Sequence, residues 1–408
     1  MNKPSRAAIA AVSFGMVSGL PSDLMTGTLQ VRLSDAGLKA SDIGYLGLAT
    51  MPLMLKPFWA PVVDRFAPPT GRRRGWIFLA TVCVTLALGL LGGIDPNSSR
   101  NGLVACLALA AFFSATVDLA VNGWTCDMSR IGASRMAGLS VWGFRAAMLL
   151  SSSLSLVMAQ RIGWQATYWL LAGIGLLGLA AGYLHPEPDP PGQPPLTLSD
   201  AVVKPVREFL RDSGASGFLL LLLFALLFRL ADSWAANQTS TFLQKSGFTK
   251  DELSLAKGVA LVGAGVGVWM AGWLETRLRV GRLLVVAGIL GAASNLGFLL
   301  VSESVVPRLV GLHASQIIES VCGGLLSAVF VGYLMSRCGS GSAATQYAIL
   351  TSVWLLGRYL TAPAGAIADS SGWTVFFVAS TLAAVPGLFL VPFLARRARQ
   401  GDTATSGG

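Results

Sequence analysis

The sequence predicts an all-α polytopic membrane protein, with twelve transmembrane helices in two pseudo-symmetric six-helix halves. Three observations carry this. Charged residues make up only 12% of the 408-residue chain, against about 25% in a soluble domain. Charge-free apolar runs recur at 76–94, 162–184, 283–302 and 373–395, each near the ~20 residues that cross a bilayer core as a helix. Finally, LSDAGLKASDI (33–43) matches LQKSGFTKDEL (243–253) at an offset of 210, which also pairs Trp59 with Trp269. Internal repeats of this kind mark transporter folds whose substrate site lies between the halves near mid-membrane.

Apolar runs between turn signals place the first six helices at 7–31, 41–63, 76–94, 101–124, 134–160 and 164–184. The N-terminal MNKPSR is basic, but the apolar stretch after it runs past any plausible cleavage site, so it reads as a retained first helix. Within that helix, Gly19 and Pro21 are expected to break the backbone and free carbonyls for a ligand. Between the second and third helices, DRFAPPTGRRRGW (64–76) gathers four arginines and one aspartate around two prolines and a glycine. The second six helices are placed at 216–243, 251–273, 282–302, 309–335, 343–368 and 373–395.

Residues 1–184 therefore form an N-terminal half and 215–395 a C-terminal half, joined by a proline-rich cytoplasmic linker at 185–214. The stretch PEPDPPGQPP (186–195) is too stiff and polar to cross a bilayer. After it, Val202, Val203, Val206, Phe209 and Leu210 fall at helical spacing among charges, predicting a short amphipathic helix on the inner surface despite Pro205. Residues 396–408 read as a disordered cytoplasmic tail. Lysine and arginine concentrate in the segments that lie inside when the N-terminus is inside. Both termini are thus expected in the cytoplasm.

The net charge of +10 does not imply nucleic acid, because the basic residues sit in short gaps between apolar runs and no soluble domain carries a basic face. No phosphate-binding glycine loop is present. The two histidines, His185 and His313, are far apart, and the five cysteines are scattered without ligand spacing. Neither an enzyme, a metal site nor a cofactor is predicted.

The chemistry is carried by charge inside the membrane, which costs a few kcal/mol or more unless it is paired or lines a pathway. Asp23 and Asp118 are the candidates for proton coupling, with a permanent structural ion pair as the alternative for each, to Arg145 or Arg358 in the case of Asp23. Arg145 and Arg358, at comparable places in the two halves, are expected to hold an anionic part of the substrate or to balance the acids. Trp142, Trp354, Trp124 and Trp234 are candidate ring contacts, with interfacial anchoring as the alternative, and Asn122 lies on the same path. Arg229 and Asp232, three residues apart, are expected to pair within their helix. With Glu319 they are assigned to the gate or the framework.

The 64–76 loop resembles the helix 2–3 signature of the major facilitator superfamily, in which an acid followed by arginines locks the inner gate. That resemblance assigns Asp64, Arg65, Arg72, Arg73 and Arg74 to the gate, with a basic loop that only fixes topology as the alternative. More of the chain is similar to the AmpG-type permease family within that superfamily. The matching stretches include FGMVSGLPSDLMTGTLQ (14–30), KPFWAPVVDRFAPPTGRRRGW (56–76), SATVDLAVNGW (114–124), FRLADSW (228–234) and ATQYAILTSVWLLGR (344–358). The resemblance implies the major facilitator fold and a proton-driven importer in the bacterial inner membrane, working as a monomer on a small-molecule substrate. Two branches are open. Room for only twelve helices, a tryptophan-rich cavity and Asn122 in place of a second acid favour the RhtX/FptX-like branch, which carries pyochelin-like ferric siderophores. The alternative is the branch that carries anhydro-muropeptides (GlcNAc-anhydroMurNAc peptides) from cell-wall recycling.

Overall fold

The structure is a computed structural model that describes residues 3–38, 46, 48–128, 133–182, 198–338, 342–357 and 364–394. Among the described residues the regular structure is all helical, with no strand. Two compact units form. The first comprises Met1–Ile131, Leu139–Pro205 and Cys338–Ala348, and the second Gly132–Gly138, Val206–Arg337 and Ile349–Gly408.

In the first unit, α1 (Lys3–Met25) and α2 (Gly27–Asp35) are followed by 3-10 turns at Leu48–Leu53 and Lys56–Phe58 and by the short α3 (Ala60–Arg65). Next come α4 (Arg74–Gly93), α5 (Arg100–Met128) and α6 (Ala133–Gly182), whose start through Gly138 belongs to the second unit. The expected break at Gly19 and Pro21 does not occur. Helix α1 runs through both to Met25, and the chain turns at Thr26, whose N–H donates to the Asp23 carbonyl at 3.1 Å. Gly19 serves packing instead: a Cβ there would lie 2.3 Å from the Phe144 carbonyl oxygen on α6. Gly15 and Gly143 make the same close approach to Ser140 and Val12 backbone oxygens. Small residues let helix backbones meet where lipid offers no hydrophobic drive for association.

The second unit contains most of α7 (Leu198–Leu227), then α8 (Leu230–Lys245), α9 (Lys250–Glu275) and α10 (Val280–Ala293). A 3-10 turn at Ser294–Phe298 leads to α11 (Leu299–Ser302), α12 (Arg308–Ser336), α13 (Ala343–Gly357) and α14 (Ala364–Leu382). The predicted amphipathic helix is the start of α7, with Pro205 inside it, Phe209 buried and Leu210 exposed. The linker at 186–195, the tail at 396–408 and His185 lie outside the described residues. Helix α9 opens on a capping box, Thr249 with Glu252, and packs along α12 through Gly267 and Gly324. Their Cβ positions would fall 2.0 and 2.4 Å from facing carbonyl oxygens.

Among the described residues, nine helices are long and apolar enough to cross a membrane. They correspond to predicted helices 1, 3, 4, 6 to 10 and 12. Predicted helix 5 is the first part of α6, whereas helices 2 and 11 fall partly outside the described residues. What remains of helix 2 is 3-10 turns around Pro52 and Pro57 followed by α3.

Glycine turns punctuate three of the long helices, Gly214 of α7 (φ 68°, ψ 165°) among them. Helix α6 turns at Gly163 (φ 78°, ψ 164°) and α14 at Gly372 (φ 83°, ψ 168°), each followed by tryptophan. That region is open essentially to glycine alone. Gly372→Ala is expected to cost about 1–3 kcal/mol, read as a lower melting midpoint in detergent, whereas an unchanged midpoint would refute the strain argument.

Candidate functional site

At the end of α3, Asp64 is 0% exposed and gathers donors on both carboxylate oxygens. Arg73 Nη1 donates to Oδ1 at 2.7 Å, and Arg72 Nη2 lies 3.9 Å from it. Thr345 donates to Oδ2 twice, from its backbone N–H and its hydroxyl, each at 2.7 Å, and Ala344 N–H reaches Oδ1 at 3.3 Å. The carboxylate therefore also sits on the free N–H groups that open α13, where a helix end favours negative charge. Arg73 is 1% exposed, and its Nε donates to Asp127 Oδ2 at 3.1 Å. Gly123 makes room for it, since a Cβ there would lie 2.8 Å from Arg73 Cζ. Burial alone would lower the pKa of this guanidinium; Asp64 and Asp127 outweigh burial and raise it, so Arg73 stays charged. The expected cluster thus forms around Asp64, Arg72 and Arg73. Arg65 instead lies over the Phe66 ring, and Arg74 begins α4. Asp127 was not singled out from sequence; its only signal was an acid at the inner end of predicted helix 4.

Farther back along α5, Asp118 is paired with Lys56 and accepts from Ser18 Oγ at 2.9 Å. Its counter-ion is a lysine from the irregular stretch before α3. Asp23, 6% exposed, accepts from Thr28 Oγ1 at 2.9 Å, and Thr28 in turn meets Ser155 Oγ at 3.1 Å. This is a pocket of hydroxyls. Trp124 is 0% exposed and packs edge-on against Phe14 at 5.1 Å, which makes it a core residue of the unit. The sequence had offered it as a ring contact because it lies in the same helix as Asp118, but its indole faces α1. Asn122 on α5, and Trp142 and Arg145 on α6, are half-buried. Arg358 lies outside the described residues.

In the second unit Arg229 and Asp232 form the expected i, i+3 pair. The Arg229 guanidinium lies 5.1 Å from the Trp354 ring centre and 5.9 Å from that of Phe330. Glu319 on α12 approaches the same place: the vacant Cβ position of Gly323 is 3.5 Å from Glu319 Oε1 and 3.9 Å from Asp232 Oδ1. Trp234 turns away, against the aromatic core of Phe242, Phe298, Phe376 and Phe377. The period of α8 explains this, since a residue two positions on from Asp232 faces roughly the opposite side.

A buried acid–arginine cluster beside a helical start, and charge carried within apolar helices, are what a transport protein would need. Residues 7–362 match the family model of the Major Facilitator Superfamily. The chain belongs to this superfamily. As such, it is a multi-pass membrane transporter and not an enzyme. It is 36% identical over 394 residues to the anhydromuropeptide permease of Escherichia coli (strain K12), covering 95% of this chain and 79% of that one. It is 27% identical over 394 residues to the putative transporter AmpG 4 of Rickettsia conorii, covering 93% of this chain and 94% of that one. Among solved structures, the superfamily transporter FucP in its outward conformation superposes with a TM-score of 0.70, at 13% identity, over 96% of this chain and 98% of that one. The proton:xylose symporter XylE gives 0.69 at 14% identity, over 96% and 97%. At those identities the structures establish the fold alone. The relatives place the superfamily member among AmpG-type permeases and do not support the siderophore branch. The chain length that had favoured that branch does not discriminate, because the likeness to the longer E. coli permease runs through nearly all of this chain.

Proposed function

We propose that the protein imports anhydro-muropeptides across the bacterial inner membrane, as a monomer with both termini cytoplasmic, by proton-coupled alternating access. The observation that carries this is the 36% identity to an anhydromuropeptide permease sustained over 95% of the chain. The charges fit the cargo. Muropeptide stems bear carboxylates, for which Arg145 and Arg358 remain the assigned partners. Asp23, set among hydroxyls, is the assigned proton carrier, because a carboxylate held by neutral donors can take up a proton without abandoning a cation. Asp118 is retained as a second coupling residue, working against Lys56. The Asp64–Arg73 cluster latches the inner gate.

Uptake by deletion cells complemented with this gene tests the cargo. Anhydro-muropeptide is expected to accumulate and to leak out on addition of an uncoupler. Accumulation of a ferric siderophore in its place would overturn the reading. Asp23→Asn is expected to cut pH-gradient-driven accumulation about tenfold or more, equivalent to at least ~1.4 kcal/mol, while substrate exchange continues. Unchanged accumulation would remove Asp23 from the coupling path.

A further inference from the structure

Helix α12 carries two adjacent glycines with different surroundings. Gly324 faces α9, where a Cβ would fall 2.4 Å from the Ala264 carbonyl oxygen, so helix packing requires it. Gly323 is also buried, yet a Cβ there would meet nothing closer than Glu319 Oε1 at 3.5 Å and Asp232 Oδ1 at 3.9 Å. Those are ordinary contact distances. Protein packing leaves the choice of glycine unexplained, and an alanine would favour the helix. What a methyl would remove is the space between two carboxylates.

Donors stand beside these acceptors. Arg229 is 7% exposed and pinned by Asp232 beneath the rings of Trp354 and Phe330. Its Nε is buried with no hydrogen-bond partner, and so is the indole Nε1 of Trp354. A buried donor left unmade is costly, so such atoms point to a group that is supplied from outside. Arg229 offsets Asp232 and Glu319 adds a further acceptor, so the place disfavours an anion and suits an uncharged ligand rich in donors that also accepts. The exposed part of an indole suits the apolar face of a ring.

We propose that Gly323, Asp232, Glu319, Arg229 and Trp354 form a saccharide subsite in the second unit, which takes a hydroxyl- and acetamido-bearing ring of the cargo. Hydroxyl and amide N–H groups donate to Asp232 and Glu319 across the gap at Gly323, and acetamido or ring oxygens accept from Arg229 and Trp354. Arg229, Asp232 and Glu319 then act in recognition, beyond the gate and framework role expected from sequence. The proposal rests on the muropeptide reading, whose disaccharide is built of N-acetylated amino sugars.

The test compares Gly323→Ala with the wild type as full-length protein in liposomes. Gly323→Ala is expected to keep or raise the melting midpoint, yet to weaken binding of the peptide-free anhydro-disaccharide about tenfold or more, followed by tryptophan fluorescence. Trp354→Phe, which keeps a ring and loses the N–H, is expected to weaken it less. Gly324→Ala serves as the packing control and is expected to lower the midpoint. Wild-type disaccharide affinity in Gly323→Ala would overturn the subsite while leaving muropeptide uptake intact. So would competition of uptake by the free stem peptide but not by the disaccharide. Failure of the wild type to take up muropeptide would defeat the cargo reading instead, and disaccharide binding to the two proteins would still decide the subsite.

Discussion

Asp64→Asn is expected to destabilise the protein by about 3–5 kcal/mol, the range for breaking a buried ion pair, and to abolish most uptake. The reason lies in the donor count. Asp64 offers two charged oxygens to Arg73, Thr345 and Ala344 from a fully buried position. Asparagine keeps one oxygen and turns an NH₂ toward the other donors, so N–H groups face N–H groups. Arg73 would then lose the charge of Asp64 and keep that of Asp127. Asp127→Asn is expected to cost less, because Arg73 keeps its shorter bond to Asp64. Thermal melting of the purified variants, with uptake measured in parallel, checks the order. Equal midpoints for Asp64→Asn and the wild type would rule out the latch.

The second large effect concerns Lys56 and Asp118. Lys56→Met is expected to leave the Asp118 carboxylate with the Ser18 hydroxyl as its remaining partner among the described residues and to reduce uptake about tenfold or more. An intramembrane charge without its counter-ion costs a few kcal/mol. In the double variant Lys56→Met with Asp118→Asn no charge is stranded, so the folded yield and midpoint are expected to recover toward wild type. Pair coupling of this kind is what a double-mutant cycle isolates. The cycle also separates the roles of Asp118. As a coupling residue, its double variant recovers folding and substrate exchange but not accumulation driven by a pH gradient; as a framework ion only, it recovers both. A double variant no better than Lys56→Met would show that the two do not act as a pair.

Much of this was legible from the chain. Lipid demands long apolar helices with internally satisfied backbones, so composition and run length reveal the fold class directly. The loop at 64–76 pointed to the acid–arginine cluster, because an aspartate followed by clustered arginines stands out between apolar helices even where a basic loop also serves topology. The Arg229–Asp232 pair followed from helical spacing alone. Asp127 and Thr345 were not legible, because their contacts to Arg73 and Asp64 join residues distant in sequence. Trp124 misled for a related reason: apolar sequence around a tryptophan is the same whether the ring faces a cavity or Phe14. Asn122 misled the choice of cargo, since one residue's charge is weak against identity sustained along the chain.

The sequence by itself determined the membrane class, the acid–arginine loop at 64–76 and the set of charged residues placed within the helices. Those features depend on local hydropathy and spacing, which solvent and bilayer read residue by residue. Only the tertiary structure decided which partner each charge meets: Asp118 with Lys56, Asp64 with the start of α13, Asp23 with hydroxyls. Pairing depends on helix rotation and on close approach at particular glycines, and those are set by packing between distant segments. The same is true of the gap at Gly323, which is a glycine in the sequence and a space between two carboxylates only in the fold.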